Sequence, residues 1–283
     1  MPEIELRGGE VDGLRIHYLA EGRGPAVILV HGLGGFAEYW RHNFAPLATR
    51  ATVYALDLPG FGRSAKPRTR YGLGYFTGAL SGFMDATGLA HASVVGHSLG
   101  GAVAATLALT HPSRVDRVAL LGALVPGFSY RRPWVARIAE LHGLGEALSL
   151  CGCAPLYKAA LARCFHEPVP SEIDFLVETF YAERTGPDAR AAFLATMRQM
   201  KADFVDRAAA YRRALATLDL PVLAIHGRQD RVVAWSHCAE VARGVPRAAV
   251  RWIDHCGHFP HIEHPAVVNA WLGDFLVRRP APR

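Results

Sequence analysis

From residue 25 onward, short apolar runs alternate with longer stretches in which apolar positions recur at helical spacing. The runs at 26–31, 52–57, 92–97, 117–122, 221–226 and 248–253 are too short for helices and rich in β-branched residues, so they read as buried strands. Helices are predicted over 36–49, 75–88, 99–111, 235–243 and 265–277. Strands alternating with helices call for an α/β fold with a doubly wound, mostly parallel sheet. Residues 2–7 and 14–19 alternate apolar and polar around Asp12-Gly13, which predicts an antiparallel hairpin at the sheet edge.

Between residues 126 and 217 the rhythm changes. Strand-like runs vanish, and helical segments follow at about 132–142, 144–150, 155–165, 171–184 and 187–215, the last one broken. Pro126, Pro155, Pro168, Pro170 and Pro187 stand where helix starts and turns are expected. The chain therefore divides into a core of residues 1–125 and 218–283 and a helical insertion of residues 126–217. The insertion carries Trp134, Leu141, Leu144, Leu148, Leu150, Leu156, Tyr157, Phe165, Phe175, Leu176, Phe180, Tyr181, Phe193 and Met197. Most of these are expected to pack inward, and a few to line an apolar pocket.

With 283 residues, 51% hydrophobic and 20% charged, the chain has ample core for a globular protein. The segment Met1–Arg7 lacks the apolar stretch of a secretory signal, and no run of about 20 apolar residues suits a membrane span. A cytoplasmic protein without stable membrane insertion is expected. The net charge of +6 comes from dispersed arginines whose densest cluster is Lys66, Arg68 and Arg70. With no aromatic-interleaved basic strand, a nucleic-acid partner is not expected. Five cysteines, with Cys151-Gly152-Cys153 unmatched by a second pair at zinc spacing, read as reduced thiols in the interior.

Candidate chemistry centres on Ser98. Gly96-His97-Ser98-Leu99-Gly100 joins a predicted strand directly to a predicted helix. A turn that tight presents one hydroxyl at the tip of a sheet and tolerates no bulk at its flanks, and the helix behind it aims free N–H groups at the site. A serine hydroxyl needs a base and an orienting acid, and in this arrangement they follow in the order Ser, Asp or Glu, His. Asp230 ends the loop after strand 221–226, and His258 lies in the loop after strand 248–253. The loop Leu121–Gly127 after the preceding strand contains no carboxylate. Asp57, in a turn with Pro59-Gly60, is expected to bond local backbone N–H groups instead. An oxyanion hole is expected from the backbone N–H of Leu99 and of Leu33, with Gly34 the alternative, in the turn His31-Gly32-Leu33-Gly34-Gly35.

Histidines at 255, 258, 261 and 264 recur every three residues, but Pro260 and Pro265 break the segment and argue against a metal-binding helix. His258 is the base of this set; His261 is expected to orient the loop and His31 to brace its own. His97 is expected to point away from the site, its polar atoms satisfied in the interior.

With these residues in place, the chain resembles the α/β-hydrolase superfamily, and within it a serine esterase or lipase with a helical cap. The matching segments are His31-Gly32, Asp57-Leu58-Pro59-Gly60-Phe61-Gly62-Arg63-Ser64, Gly96-His97-Ser98-Leu99-Gly100, His226-Gly227-Arg228-Gln229-Asp230 and Gly257-His258-Phe259-Pro260-His261. The resemblance implies that the insertion caps an active site and that no cofactor or metal is required. It also implies that Ser98, Asp230 and His258 cleave a small-molecule carboxylic ester with an apolar acyl or aromatic part. Dehalogenases and epoxide hydrolases of this superfamily normally carry Asp where this chain has Ser98. Hydrolysis of a carbon–carbon bond in aromatic ring-cleavage products stands as the alternative, and a ligand-binding receptor role as a different class. Acyl chain length and oligomeric state are not legible in the sequence.

Overall fold

The protein is described by a computed structural model covering residues 2–130, 137–138, 141–150 and 153–277. Its sheet has eight strands: β1 Glu3–Glu5, β2 Arg15–Glu21, β3 Ala26–Val30, β4 Thr52–Leu56, β5 Ala92–His97, β6 Val115–Leu121, β7 Val222–Gly227 and β8 Ala248–Ile253, in the order β1-β2-β4-β3-β5-β6-β7-β8. β1 and β2 form the antiparallel hairpin at the edge, closed by a 3-10 turn at Gly9–Val11. β2 also runs antiparallel to β4, and every later pairing is parallel.

Helices cover both faces of the parallel strands, which is why those strands read as apolar runs rather than alternating ones. Successive residues of β3 serve the two faces in turn. Ile28 and Val30 pack with Phe76, Leu80 and Phe83 of α2 (Leu73–Ala86) and Val103 of α3 (Leu99–Thr110). Val27 and Leu29 pack with Leu47 of α1 (Arg41–Ala48) and with Val268 and Leu272 of the last helix, Pro265–Val277. After β3 the chain adds β4 on one side and then β5 on the other. The strand order reverses there, and the crevice that reversal opens lies beyond the carboxyl ends of β3 and β5.

Two helices start elsewhere than their local pattern indicates. The segment 36–49 opens as a 3-10 turn, Ala37–Trp40, before becoming α1. Pro46 inside α1 cannot donate to the carbonyl of His42, and that carbonyl instead accepts from Asn269 Nδ2 at 2.8 Å. α2 begins at Leu73, because the carboxylate of Asp203, 130 residues away, accepts the Leu73 N–H at 2.9 Å.

The insertion holds α4 (Leu144–Leu150), α5 (Ala154–Ala162), α6 (Pro170–Arg184), α7 (Pro187–Lys201) and α8 (Ala208–Leu215), with a π-turn at Ala202–Asp206 breaking the last predicted helix. Most of the helix predicted at 132–142, including Trp134, lies outside the described residues. Phe165, Leu176 and Met197 are buried as expected, whereas Leu141, Leu144, Leu150 and Leu156 are exposed, Leu150 by 65%. The short helices α4 and α5 present Leu144, Leu150 and Leu156 outward, and Leu141 stands just before α4. Among the described residues, no helix is long and apolar enough to cross a membrane.

Of the cysteines, Cys238 and Cys256 are buried, but Cys164 is only half-buried and Cys153 is exposed, contrary to the interior location expected for all of them. Cys153 stands just before the first residue of α5. Cys151 lies outside the described residues.

Candidate active site

Ser98 sits between β5 and α3 with φ 51° and ψ −118°, in backbone territory that L-residues seldom occupy. The strain is held by close backbone crossings on both sides. A Cβ on Gly96 would lie 2.2 Å from the carbonyl oxygen of Gly100, and one on Gly100 would lie 2.2 Å from the carbonyl oxygen of Val30. Both clashes are with main chain, which cannot rotate away. We therefore expect Gly100→Ala to destabilise the fold by about 4 kcal/mol or more, read as a lowered denaturation midpoint; a near-wild-type midpoint would show that the elbow relaxes.

The three residues proposed from sequence come together. His258 Nε2 lies 3.0 Å from Ser98 Oγ, and His258 Nδ1 lies 2.9 Å from Asp230 Oδ2. A carboxylate can only accept, so Nδ1–H donates to Asp230 and Nε2 is left to accept the serine O–H. Asp230 is fixed from its other side, since Oδ1 accepts the N–H groups of Val232 and Val233 at 2.8 and 2.9 Å. Burial alone would raise the Asp230 pKa. The charge of His258 and hydrogen bonds from His226 and His258 outweigh it and hold the carboxyl well below the usual carboxylate range.

Local sequence had assigned no role to His226, at the end of β7. Its Nε2 stands 3.1 Å from Asp230 Oδ2 and 2.9 Å from the carbonyl oxygen of Val233, with the ring buried. The position four residues before Asp230, on the strand that carries it, was the available signal.

His97 does not point away. Its Nε2–H donates to the main-chain oxygen of His258 at 2.9 Å, and its ring centroid lies 4.8 Å from that of His258. The reason is the elbow: the turn at Ser98 brings the end of β5 under the His258 loop. Its Nδ1 is buried without a hydrogen-bond partner among the described residues. His261 likewise acts by packing rather than by hydrogen bonds: it lies between His97 and Trp40, tilted against both rings at 4.6 and 4.4 Å, with both ring nitrogens unpartnered among the described residues. Burial, followed by the neighbouring imidazoles, pushes the pKa of both His97 and His261 well down, so both are neutral.

His31 braces its loop as expected, its Nδ1–H donating to Gly32 O at 2.7 Å and its Nε2 accepting the Leu58 N–H at 2.9 Å. Burial lowers its pKa to about 4. Asp57 accepts from the N–H groups of Ala37 and Arg63 at 2.6 and 2.7 Å, while burial raises its pKa to about 7. The four spaced histidines diverge: His258 joins Asp230, His261 packs in the interior, and His264 Nε2 meets the carbonyl of His255 at 2.9 Å. Cys256 is buried and its thiol pKa is driven up by that burial.

Leu99 opens α3 and is buried, so its N–H belongs to the first turn, where no intrahelical acceptor exists. Leu33 is half-buried in the turn closed by Gly35 N–H to Gly32 O at 3.0 Å. That turn lies against the nucleophile, since a Cβ on Gly32 would fall 2.9 Å from Ser98 Cβ. Gly34, Gly35, Phe36 and Phe61 line a cleft beside it together with Phe193 and Arg184 of the insertion. The cleft is therefore not wholly apolar: the Arg184 guanidinium lies 3.7 Å over the ring of Phe193.

Residues 25–148 and 181–265 match the family model of the alpha/beta hydrolase fold, and the chain belongs to that family. It is 32% identical to the dihydrolipoyllysine-residue acetyltransferase component of the acetoin cleaving system from Cupriavidus necator, over 94% of this chain and 68% of that protein. It is 29% identical to 2-hydroxymuconate semialdehyde hydrolase from Pseudomonas sp. strain CF600, over 95% of this chain and 93% of that one. In structure it is similar to 2-hydroxy-6-oxo-6-phenylhexa-2,4-dienoate hydrolase from Rhodococcus sp. strain RHA1, with a TM-score of 0.82, 28% identity and coverage of 96% and 97% of the two chains.

Proposed function

We propose that the protein is a serine hydrolase that cleaves carboxylic esters of small molecules through an acyl-enzyme. The observation that supports the nucleophilic-serine part of this reading is the unbroken row Ser98 Oγ, His258, Asp230, with steps of 3.0 and 2.9 Å. Ser98 Oγ attacks the carbonyl carbon as its proton passes to His258 Nε2, and Asp230 holds the imidazole in the required tautomer and stabilises the imidazolium. The N–H groups of Leu99 and Leu33 receive the oxyanion. The imidazolium then gives its proton to the leaving alkoxide, and a water molecule repeats the sequence on the acylated Ser98, releasing the acid and restoring the enzyme. No step calls on a cofactor or metal. Residues 126–217 serve as the cap.

A backbone donor survives side-chain truncation. Leu33→Ala is therefore expected to keep kcat within about 5-fold of wild type, far from the 100- to 1,000-fold loss that follows deletion of an oxyanion donor. A loss of that larger size in steady-state assays would mean the leucine side chain itself shapes the hole.

Carbon–carbon bond hydrolysis is the second reading, favoured by the relatives, which include hydrolases named for a semialdehyde and a dienoate. A series of 4-nitrophenyl esters assayed beside a ring-cleavage dienoate separates the two. The ester reading expects kcat/KM to be higher on the best ester by at least about 10-fold, a difference of about 1.4 kcal/mol in transition-state binding. The reverse order would install the second reading, and saturable binding with no turnover of either would point to a receptor.

A further inference from the structure

The turn that carries His258 is held almost entirely from outside itself. Cys256 N–H donates to Gln229 Oε1 at 3.1 Å, and His258 N–H donates to the carbonyl oxygen of Cys164 at 2.7 Å. The N–H groups between and after these go to one carboxylate: Gly257 donates to both oxygens of Glu263 at 3.0 Å, and Phe259 donates to Oε1 at 3.1 Å. Oε2 of the same carboxylate also accepts the N–H of His166 at 2.8 Å. Cys164 and His166 belong to the insertion, between α5 and α6. The two segments are pressed together so closely that a Cβ on Gly257 would fall 2.4 Å from Cys164 O and 2.7 Å from His166 N.

Glu263 ends a one-turn helix, Pro260–Glu263, and its own N–H donates to the carbonyl of Phe259 at 2.8 Å. A carboxylate returning to the N-terminal end of its helix is a familiar cap, and that alone accounts for the Phe259 contact. It does not account for His166, which lies 97 residues away on a different part of the fold. We propose that Glu263 is a positioning residue for His258: its two oxygens fasten the histidine turn to the insertion, so that the base is aligned with Ser98 only while that fastening holds. The inference rests on His258 acting as the base.

The test uses the chemistry of the two oxygens. Glu263→Gln keeps one acceptor and turns the other into a donor. With its oxygen toward Gly257 and Phe259, the amide NH₂ faces the His166 N–H; flipped, it faces the turn. Either way the link that this carboxylate makes between turn and insertion is cut with little change in volume, while the His258 N–H bond to Cys164 O remains. We expect kcat on a 4-nitrophenyl ester to fall about 10- to 100-fold, the scale of a misplacement of about 1 Å, while KM stays within about 3-fold. Labelling of Ser98 by a 4-nitrophenyl phosphonate should slow in parallel, in protein that is folded at the assay temperature. Amide hydrogen exchange on the wild-type chain supplies a check that needs no variant: His166, Gly257 and Phe259 should be protected together although they lie outside regular elements. Wild-type kcat and labelling in the variant, or exchange of these three amides at open-chain rates, overturns the proposal. A wild-type chain that takes no phosphonate on Ser98 overturns the catalytic reading and this inference with it.

Discussion

Ser98→Ala is expected to lower kcat by about 10⁶-fold, and adding His258→Ala is expected to change it little further, because nucleophile and base act as a unit. The serine contributes nothing without a group to take its proton, and His258 Nε2 is aimed at Ser98 Oγ, 3.0 Å away. The substitution should leave the fold intact. Alanine at φ 51° carries the same backbone strain that serine does, and the crossings that enforce it belong to Gly96 and Gly100. Steady-state kinetics of the two single variants and the double variant check this. Losses that multiply would mean that the two residues act in separate steps.

Asp230→Asn is expected to cost about 10⁴-fold in kcat in a protein that still folds. An asparagine keeps one oxygen to accept from Val232 and Val233, and its NH₂ then faces His258 Nδ1. The imidazole must turn Nδ1 into an acceptor, which puts its proton on Nε2, where the serine needs a base. The same substitution has a pH signature. The Asp230 pKa is depressed in the folded chain, so the carboxylate stabilises the fold above its unfolded pKa of about 3.9 and loses that contribution as the pH falls further. The wild-type Tm should therefore exceed that of Asp230→Asn between pH 8 and about 5, and the margin should shrink below about pH 4. Thermal unfolding of both proteins across that range tests the sign; a margin that grew on acidification would contradict it.

What the sequence disclosed was what local pattern encodes. β3, β5 and β7 are covered on both faces and so appear as plain apolar runs, and the glycines around Ser98 are there because a Cβ at Gly96 or Gly100 would fall 2.2 Å from a main-chain oxygen. Asp230 and His258 were legible because parallel strands deliver their following loops to one edge. Contacts between distant segments left no such trace. The start of α2 is set by Asp203, the grip on the His258 main chain comes from His97, and the Glu263 carboxylate meets His166 across 97 residues. The exposed leucines of α4 and α5 failed the inward expectation for a related reason: apolar composition does not say which face of a short helix finds a partner.

The most direct test of the central claim is covalent. The chain is incubated with a 4-nitrophenyl phosphonate, its intact mass is measured, and the modified peptide is mapped. The row of hydroxyl, imidazole and carboxylate predicts one adduct per chain, on Ser98, formed far more slowly in Asp230→Asn and absent in Ser98→Ala. An adduct on any other residue, or an unmodified wild-type chain, would contradict it.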